Sequence, residues 1–390
     1  MSRAVEESLG ARLMHEKHVH GCVNVPDRTV ERLHFIELHG SRSAPDNKPT
    51  EAGVEGSRRI RSIVESLGRN DLAICLISGG GSALMPAPAP GITLADKQAV
   101  TGMLQDSGAT IGEMNAIRKH LSDLKGGGLV RCCRSRFLVS LIISDVVGDS
   151  LDTIASGPTA ADRSTFADAI AVLRKYDLLE RAPNAVLEYL EAGTSGNRPE
   201  TLKKLPRHVI NSIIGNNGTA LSAAETTARK LGYRVVNLSS FIEGETQQAG
   251  IMLAGIARGV RDSENPVAPP ACILSGGETT VALGKEHGLG GRNQELVLAA
   301  LQHLGPDSLK NLVVLSGGTD GEDGPTDAAG AIGDEALAKF AIQRGMDSAA
   351  YLRRHDSYHF FEPLDGLIKS GLTNTNVTDL RVILVGSPAQ

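Results

Sequence analysis

The chain has 390 residues, enough for two domains, and 41% of them are apolar. Lys and Arg number 40 against 45 Asp and Glu, a formal net charge of −5, which excludes a general electrostatic footprint for nucleic acid or a membrane surface. Five cysteines without CxxC spacing argue against a zinc site or disulfide framework. No apolar run approaches the roughly 18 residues of a membrane span, and the N-terminus lacks an apolar signal core, so the default setting is reducing and cytoplasmic.

Residues 1–14 read as an amphipathic helix with Val5, Leu9 and Leu13 on one face. "ERLHFIEL" (31–38) alternates as a strand does, 44–53 is a loop, and 54–67 is helical. "DLAICLIS" (71–78) is a buried strand, and Thr93 caps the helix that follows. Residues 111–133 begin helical and break at Gly126–Gly128. Most of Arg118, Lys119, His120 and Lys125 there read as the basic face of a surface helix. A buried strand over 137–149 carries Asp145 at its end. Two surface helices, 167–180 and 183–193, precede a linker-like stretch at 194–206. A strand (208–217), a helix (218–232), a strand (233–240) and a helix (246–260) follow, then a second linker candidate at 262–270. The remainder holds two further strands, helices at 293–304 and 334–345, and a closing strand at 380–386. This alternation argues for α/β architecture, with mostly parallel sheets covered on both faces. Ligands in such sheets bind beyond the carboxyl ends of the strands, here in a cleft between two α/β domains.

Three strand ends share one pattern. "LISGGGS" (76–82), "LSGGET" (274–279) and "LSGGTD" (315–320) each follow an apolar run. Consecutive N–H groups in such turns can surround an anion, and Ser78, Ser82, Ser275 and Ser316 add hydroxyls. A plain flexible turn is the alternative. Neither a GxxxxGK[ST] loop nor a dinucleotide fingerprint is present. Carboxylates gather in "SDVVGDSLDTIASGPT" (144–159) and in "GGTDGEDGPTDAAG" (317–330), which holds Asp320, Glu322, Asp323 and Asp327. Oxygen ligands at this density suit Mg²⁺ or Ca²⁺, and Asp beside Gly is also ordinary turn chemistry. Arg292 stands at the start of a helix, where a cation opposes the macrodipole, so an anion is expected beside it.

"LISGGGSALMPAP", "NAIRKHLSDLKGG", "SDVVGDSLDTIASGPT", "SGGETTV", "GGRNQELVLA" and "GGTDGEDGPTDAAGA" together resemble the glycerate 2-kinase family, whose C-terminal part is called the MOFRL domain. The motifs span most of Asp71 to Gly333, and "TNTNVTDLRVILV" (373–385) also looks familial. The resemblance implies two Rossmann-like, mostly parallel three-layer domains, at 1–262 and 263–390, with the active site in the cleft between them. It implies transfer of the ATP γ-phosphate to the 2-hydroxyl of D-glycerate, with Mg²⁺ as cofactor, and allows a homodimer. Substrate and nucleotide contacts carry onto Ser78, Gly79, Gly80, Gly81, Ser82, Ser156, Gly157 and Asn216. They also carry onto Gly276, Gly277, Glu278, Asn293, Gly317 and Gly318. Arg292 and Asp320 take catalytic roles in this reading, and Asp145 and Asp327 hold the metal.

Two departures from the family pattern are visible. Family members carry a segment with a first strand and a "GKA" turn ahead of the helix that opens this chain, so that Lys is not expected here. "HGSRSAPD" (39–46) also stands where the family has "GHP" before its "PD" loop. The rival readings are a hydroxypyruvate reductase and a catalytically inactive protein that keeps nucleotide or glycerate affinity.

Overall fold

A computed structural model describes residues 1–42 and 48–386. The loop expected at 44–53, and the "HGSRSAPD" departure, lie partly outside the described residues. Packing divides the chain into two compact units. One comprises Met1–Ile142 and Asp149–Ile214, the other Ile143–Gly148 and Gly215–Gln390. The chain therefore crosses between units at 142/143, 148/149 and 214/215, whereas the sequence reading divides it once, at 262/263. Neither linker candidate separates units. Thr201 is buried, donating to Asp162, and Leu202 bonds the Gly126 carbonyl, so 194–206 is stitched into the first unit. The stretch 262–270 joins a helix to a strand inside the second.

In the first unit, β1 (Gly21–Pro26) and β2 (Ile36–Arg42) pair in parallel. β1 was not foreseen, and β2 lies five residues beyond the expected start, because Gly21 sets the register opposite Ile36. The helix Ser2–Glu16 is present but bends at Gly10, whose φ is 73°. That bend breaks the 3.6-residue stripe. Met14 becomes the buried anchor and Leu13 is left exposed. Glu6 ties this helix down by accepting the N–H groups of His34, Phe35 and Ile36.

A second sheet orders β3 (Leu72–Ile77), β4 (Phe137–Ile143) and β5 (Val209–Gly215), with β3 and β4 parallel. One face packs Ala73, Leu138 and Val209 against Val64, Leu124 and Leu129. The other exposes Leu72, Ile74, Phe137, Ile210 and Ile214. Burial on both faces, expected from the apolar runs, does not hold for this sheet. The helices Leu94–Asp106, Ile111–His120, Phe166–Lys175 and Asn184–Thr194 form a separate core around Leu104, Ile117, Leu173 and Leu190. Thr93, Thr110 and Thr165 open three of them with reciprocal capping boxes, each satisfying two backbone donors.

The second unit is built on β6 (Arg234–Asn237), β7 (Ile242–Glu245), β8 (Ala271–Thr280), β9 (Leu312–Gly318), β10 (Gly330–Asp334), β11 (Leu367–Ile368) and β12 (Asp379–Val385). Their order is β11-β10-β9-β12-β8-β6, with β7 also on β8. β6 and β7 run parallel to β8, and the other ladders are antiparallel. The α/β class stands, with this sheet mixed rather than mostly parallel, because β12 inserts antiparallel between β8 and β9. Three layers result. Ala271, Ile273, Ile383 and Val385 face the helices Thr246–Ser263 and Arg292–Leu304. Cys272 and Leu274 face the helix Asn217–Lys230 on the other side.

Candidate active site

The strand β12 organises the second unit's site. Leu380 lies opposite Gly276 on β8 and Gly317 on β9, and Arg381 lies opposite Ser275 and Ser316. The two "SGG" junctions of this unit therefore flank one strand at the same level. Asp379 opens β12 between Gly277 and Gly318. Gly277 has φ 112°, and a Cβ there would lie 2.3 Å from the Ile242 carbonyl oxygen, so β7 can approach only because this residue has no side chain.

Arg292 begins the helix Arg292–Leu304 and turns its guanidinium onto Asp379. Nε donates to Oδ2 at 2.8 Å and Nη2 to Oδ1 at 3.0 Å. Nη1 reaches Glu278 Oε1 at 2.9 Å. The anion expected beside this helix start is thus within the chain. Asp379 is fully buried and also accepts from Asn293 Nδ2 at 2.9 Å and Arg381 Nη2 at 3.3 Å. Arg381 is itself buried and donates to the Gly276 carbonyl. Asn293 Oδ1 accepts from Ser316 Oγ at 2.5 Å, which fixes the amide between the two junctions.

Three further carboxylates stand near this pair. Burial, together with the negative charges of Asp379, Asp145 and Asp320, raises the Glu278 carboxyl above its usual range against the pull of Arg292. Burial also raises Asp320, which accepts from the Glu322 N–H and from Asn376 Nδ2. Such mutual repulsion is the setting a divalent cation relieves. Among the described residues, no group of three His, Cys, Asp or Glu side chains is arranged to hold a metal alone. Mg²⁺ needs only one or two carboxylates when substrate phosphates and water complete its shell.

Two acidic positions behave differently from the sequence reading. Asp323, grouped with the oxygen ligands, is buried and caps the helix Arg292–Leu304, accepting the N–H groups of Asn293 at 2.9 Å and Gln294 at 2.8 Å. Asp327 is not drawn into the Arg292 cluster. Its oxygens accept from Lys369 at 2.9 Å and Tyr358 at 2.8 Å, and that pairing lowers its carboxyl below the usual range. A carboxylate already neutralised by an ammonium is a poor Mg²⁺ ligand.

A cavity of about 330 Å³ opens beside the cluster, lined by Glu278, Leu283, Arg292, Pro325 and His355 among others. Glu295, a buried lining residue, accepts from Gln247 and pairs with His355. On the sheet's other side, Asn216 serves as helix cap, accepting from the Thr219 N–H. Its neighbour Asn217 instead reaches β12, donating to the Val377 and Asp379 carbonyls. Gly276 leaves room for it, since a Cβ there would overlap Asn217 Oδ1 at 1.7 Å.

In the first unit, the loop Ser78–Ser82 follows β3. Gly80 has φ 73°, and Gly81 packs so closely on the 155–157 turn that a Cβ would lie 2.8 Å from that of Ala155. Ser82 Oγ and Ser156 Oγ are 3.0 Å apart, and Ser156 Oγ donates to Asn115 Oδ1. Ala155, Ser156 and Gly157 all have positive φ, a strained turn held in place by this network. The basic residues placed on a wet helix face are largely interior. Lys119, His120 and Lys125 are buried, Lys119 between Asp152 and Asp162. Asp379, Arg381, Asn217 and Lys125 are the site-shaping residues that sequence reasoning missed.

Comparison with known proteins places this architecture among sugar-acid kinases. A model of a domain of unknown function (DUF4147) matches residues 1–191, and the MOFRL family model matches residues 271–379. A glycerate 2-kinase of Pyrococcus horikoshii is 40% identical over 389 residues, covering 99% of this chain and 85% of its own length. An Agrobacterium vitis protein with the provisional name hydroxypyruvate reductase is 43% identical, covering 91% and 89%. The crystal structure of glycerate kinase from Thermotoga maritima superposes with a TM-score of 0.86 at 35% identity, covering 99% of this chain and 88% of that one. The chain belongs to the glycerate 2-kinase family and is an enzyme of that family, a glycerate kinase. Among the described residues, no helix is long and apolar enough to cross a membrane.

Proposed function

We propose that the enzyme transfers the γ-phosphoryl group of ATP to the 2-hydroxyl of D-glycerate, giving 2-phosphoglycerate. The observation that carries this reading is the Arg292 guanidinium, locked by buried Asp379 and aimed between Glu278 and the adjoining cavity. Phosphoryl transfer asks mainly for positioning and charge neutralisation, and a fork held on two edges is positioned before substrate arrives. Arg292 receives the glycerate carboxylate or the migrating phosphoryl group. Asp320, whose carboxyl is raised and therefore more basic, accepts the hydroxyl proton. Gly276, Gly277, Gly317 and Gly318 keep backbone close to this point, and Asn293 orients Asp379. The loop Ser78–Ser82 and the turn at Ser156 and Gly157 supply donors for phosphate oxygens.

Mg²⁺ fits the crowded carboxylates. Asp145 with Glu278 would hold it, and Asp327 is the weaker choice because Lys369 occupies it. When bound, the ion would neutralise charge on the phosphate oxygens. A cytoplasmic setting and a homodimer belong to the same reading. The five unpaired cysteines support the first.

The test is direct. The purified chain is incubated with D-glycerate and ATP·Mg²⁺, and the product is identified by phosphorus NMR, which separates 2- from 3-phosphoglycerate. The expected product is 2-phosphoglycerate. NADH oxidation with hydroxypyruvate and no phosphorylated product would instead establish the reductase.

A further inference from the structure

Lys125 is an amine built into the first unit with no carboxylate paired to it among the described residues. It is 3% exposed. Its Nζ donates to the carbonyl and the hydroxyl of Ser82, each at 2.6 Å, and both partners are neutral. Lys119, six residues earlier and equally buried, shows the ordinary solution: it pairs with Asp152 and Asp162. The charges that bear on Lys125 make its position worse. Lys97 of the helix Leu94–Asp106 and Arg118 of the helix Ile111–His120 both oppose its protonation. Lys97 Nζ is itself spent on backbone carbonyls, those of Leu121 and Arg118. The carboxylate of Asp123 is taken by Arg61. The hydrogen-bonded groups around it, Ser82, Ser156, Asn115 and Ser122, carry no charge, and a second cation, Arg42, approaches the loop, its Nη1 3.5 Å from where a Gly80 Cβ would sit.

Once protonated, the amine has three donors, of which two are spent on Ser82. The hydroxyl chain also has a direction. Ser156 donates to Asn115, so Ser82 donates to Ser156 and accepts from Lys125. The Ser82 hydroxyl has thereby spent its only proton, and positive charge for a ligand on the Ser78–Ser82 loop can come from the Lys125 amine, beside that of Arg42 at Gly80. A cationic shelf without an anion, under a Gly-rich loop, matches the chemistry of phosphate.

We propose that Lys125 is the cation that receives a phosphate group on the Ser78–Ser82 loop, and that phosphate and a proton are taken up together. The proton comes from solvent and ends on the Lys125 amine. Burial, with Lys97 and Arg118, holds this amine well below an ordinary lysine in the empty protein. An adjacent phosphate dianion raises it again. Between those two values binding carries a proton, and affinity falls as pH rises, by at most about tenfold per pH unit. Below the lower value the amine is already charged and no proton is taken up. The proposal rests on the kinase reading for its ligands, which are the phosphates of ADP or of 2-phosphoglycerate.

The experiment is calorimetric titration of the full chain at pH 7.5 with ADP and, separately, with 2-phosphoglycerate. Each is run in two buffers of different protonation enthalpy, for the wild type, Lys125→Met and Lys125→Arg. The wild type is expected to take up a proton with one of the two ligands, and that arm names the source of the phosphate. Lys125→Met is expected to take up none and to bind that ligand at least tenfold more weakly. Lys125→Arg, always charged, is expected to bind without uptake, and it decides the matter if the Met variant fails to fold. The same proton count in the variants, or no uptake with either ligand in the wild type, overturns the proposal. Turnover of D-glycerate with Lys125-independent binding would sink this proposal and leave the kinase standing. Lys125-dependent uptake without turnover would do the reverse.

Discussion

Arg292 and Asp379 close a two-pronged ion pair, 2.8 and 3.0 Å long, between the first turn of a helix and the first residue of the central strand of the sheet. The pair is 87 residues apart in sequence, yet its geometry is over-determined. β8 and β9 hold β12 from both sides, and Asn293 and Arg381 hold the carboxylate. A guanidinium fixed in this way presents only its remaining edge, toward Glu278.

Removing either member should therefore affect fold and function together. Arg292→Ala leaves a fully buried carboxylate with Arg381 as its remaining cation, and loss of one partner of a buried pair costs about 3–5 kcal/mol. A role confined to catalysis would leave the fold of this variant intact. The structure instead predicts a lowered melting temperature as well as lost glycerate turnover. Arg292→Lys should keep more of the stability but lose the fork, and with it most of kcat/KM. A double-mutant cycle with Asp379→Ala, read by urea melts, should show strong coupling. Additive effects would mean that the pair is not a unit.

Gly277 is a restrictive backbone position in the site. Its φ is 112°, and the Ile242 carbonyl oxygen stands 2.3 Å from where a Cβ would sit, so Gly277→Ala must move β7 or distort β8. The expected loss is on the order of 1–3 kcal/mol, as for strained backbone. Gly255→Ala, in an open helical position with nothing near its Cβ, is the control and should be neutral or slightly stabilising. Equal melting temperatures for the two variants would contradict the crowding seen here.

The legible parts of this fold were those with local patterns. The runs at 71–78 and 137–149 announced β3 and β4, although β4 stops at Ile143, and Thr93 announced its helix. β1, written "GCVNVP", has no apolar period and is defined by its partner β2. The antiparallel insertion of β12 was invisible for a similar reason, since pairing direction is not encoded in local periodicity. Asp379 and Arg381 did leave a signal. Opposite charges two apart in an apolar strand point to the same face, and burial there requires partners. Lys125 lies in "KGGG", beyond the end of its helix, so a solvated helix face was never available to it.

Asp320 should set the acid limb of the pH–rate profile. It must be ionised to accept a proton, and burial raises its carboxyl above the ordinary range. Activity should thus rise with pH through a value higher than the ~3.9 of a free aspartate. Asp320→Asn should lower kcat by about 10²–10⁴-fold, the usual reach of general base catalysis, with little change in melting temperature. An unchanged kcat would remove Asp320 from the chemistry and make Glu278, also raised, the candidate base.

Asp323 gives a stability signature with the opposite sign to most carboxylates. Burial raises it to about 6, with Asp379 adding to the rise, although two backbone N–H groups pull the other way. A folded-state value above the unfolded ~3.9 means the native protein holds the proton more tightly. The stabilisation from this group is complete below the unfolded value and is lost as pH rises through about 6. Asp323→Asn should flatten the stability profile across that window, at about 1 kcal/mol for the cap bond an amide cannot replace. Urea midpoints for both proteins at several pH values decide it, and parallel profiles would mean that Asp323 stays ionised throughout.

The uncovered face of β3, β4 and β5 makes the last prediction. Leu72 is 55% exposed, Ile210 49% and Ile214 51%, with Ile74 and Phe137 beside them. Parallel strands are ordinarily buried on both faces, and contiguous apolar patches on soluble proteins are rare. The 390-residue chain should bind a hydrophobic dye such as ANS in its native state and lose solubility as concentration rises. Ile74→Thr with Ile210→Thr keeps two β-branched residues in the strands while placing hydroxyls on that face. The double variant should bind less dye and stay soluble to higher concentration, with its melting temperature nearly unchanged because neither side chain contributes to the buried core. A variant that melts much lower would show that these side chains are packed. Dye binding equal to that of the wild type would place the exposed apolar surface elsewhere.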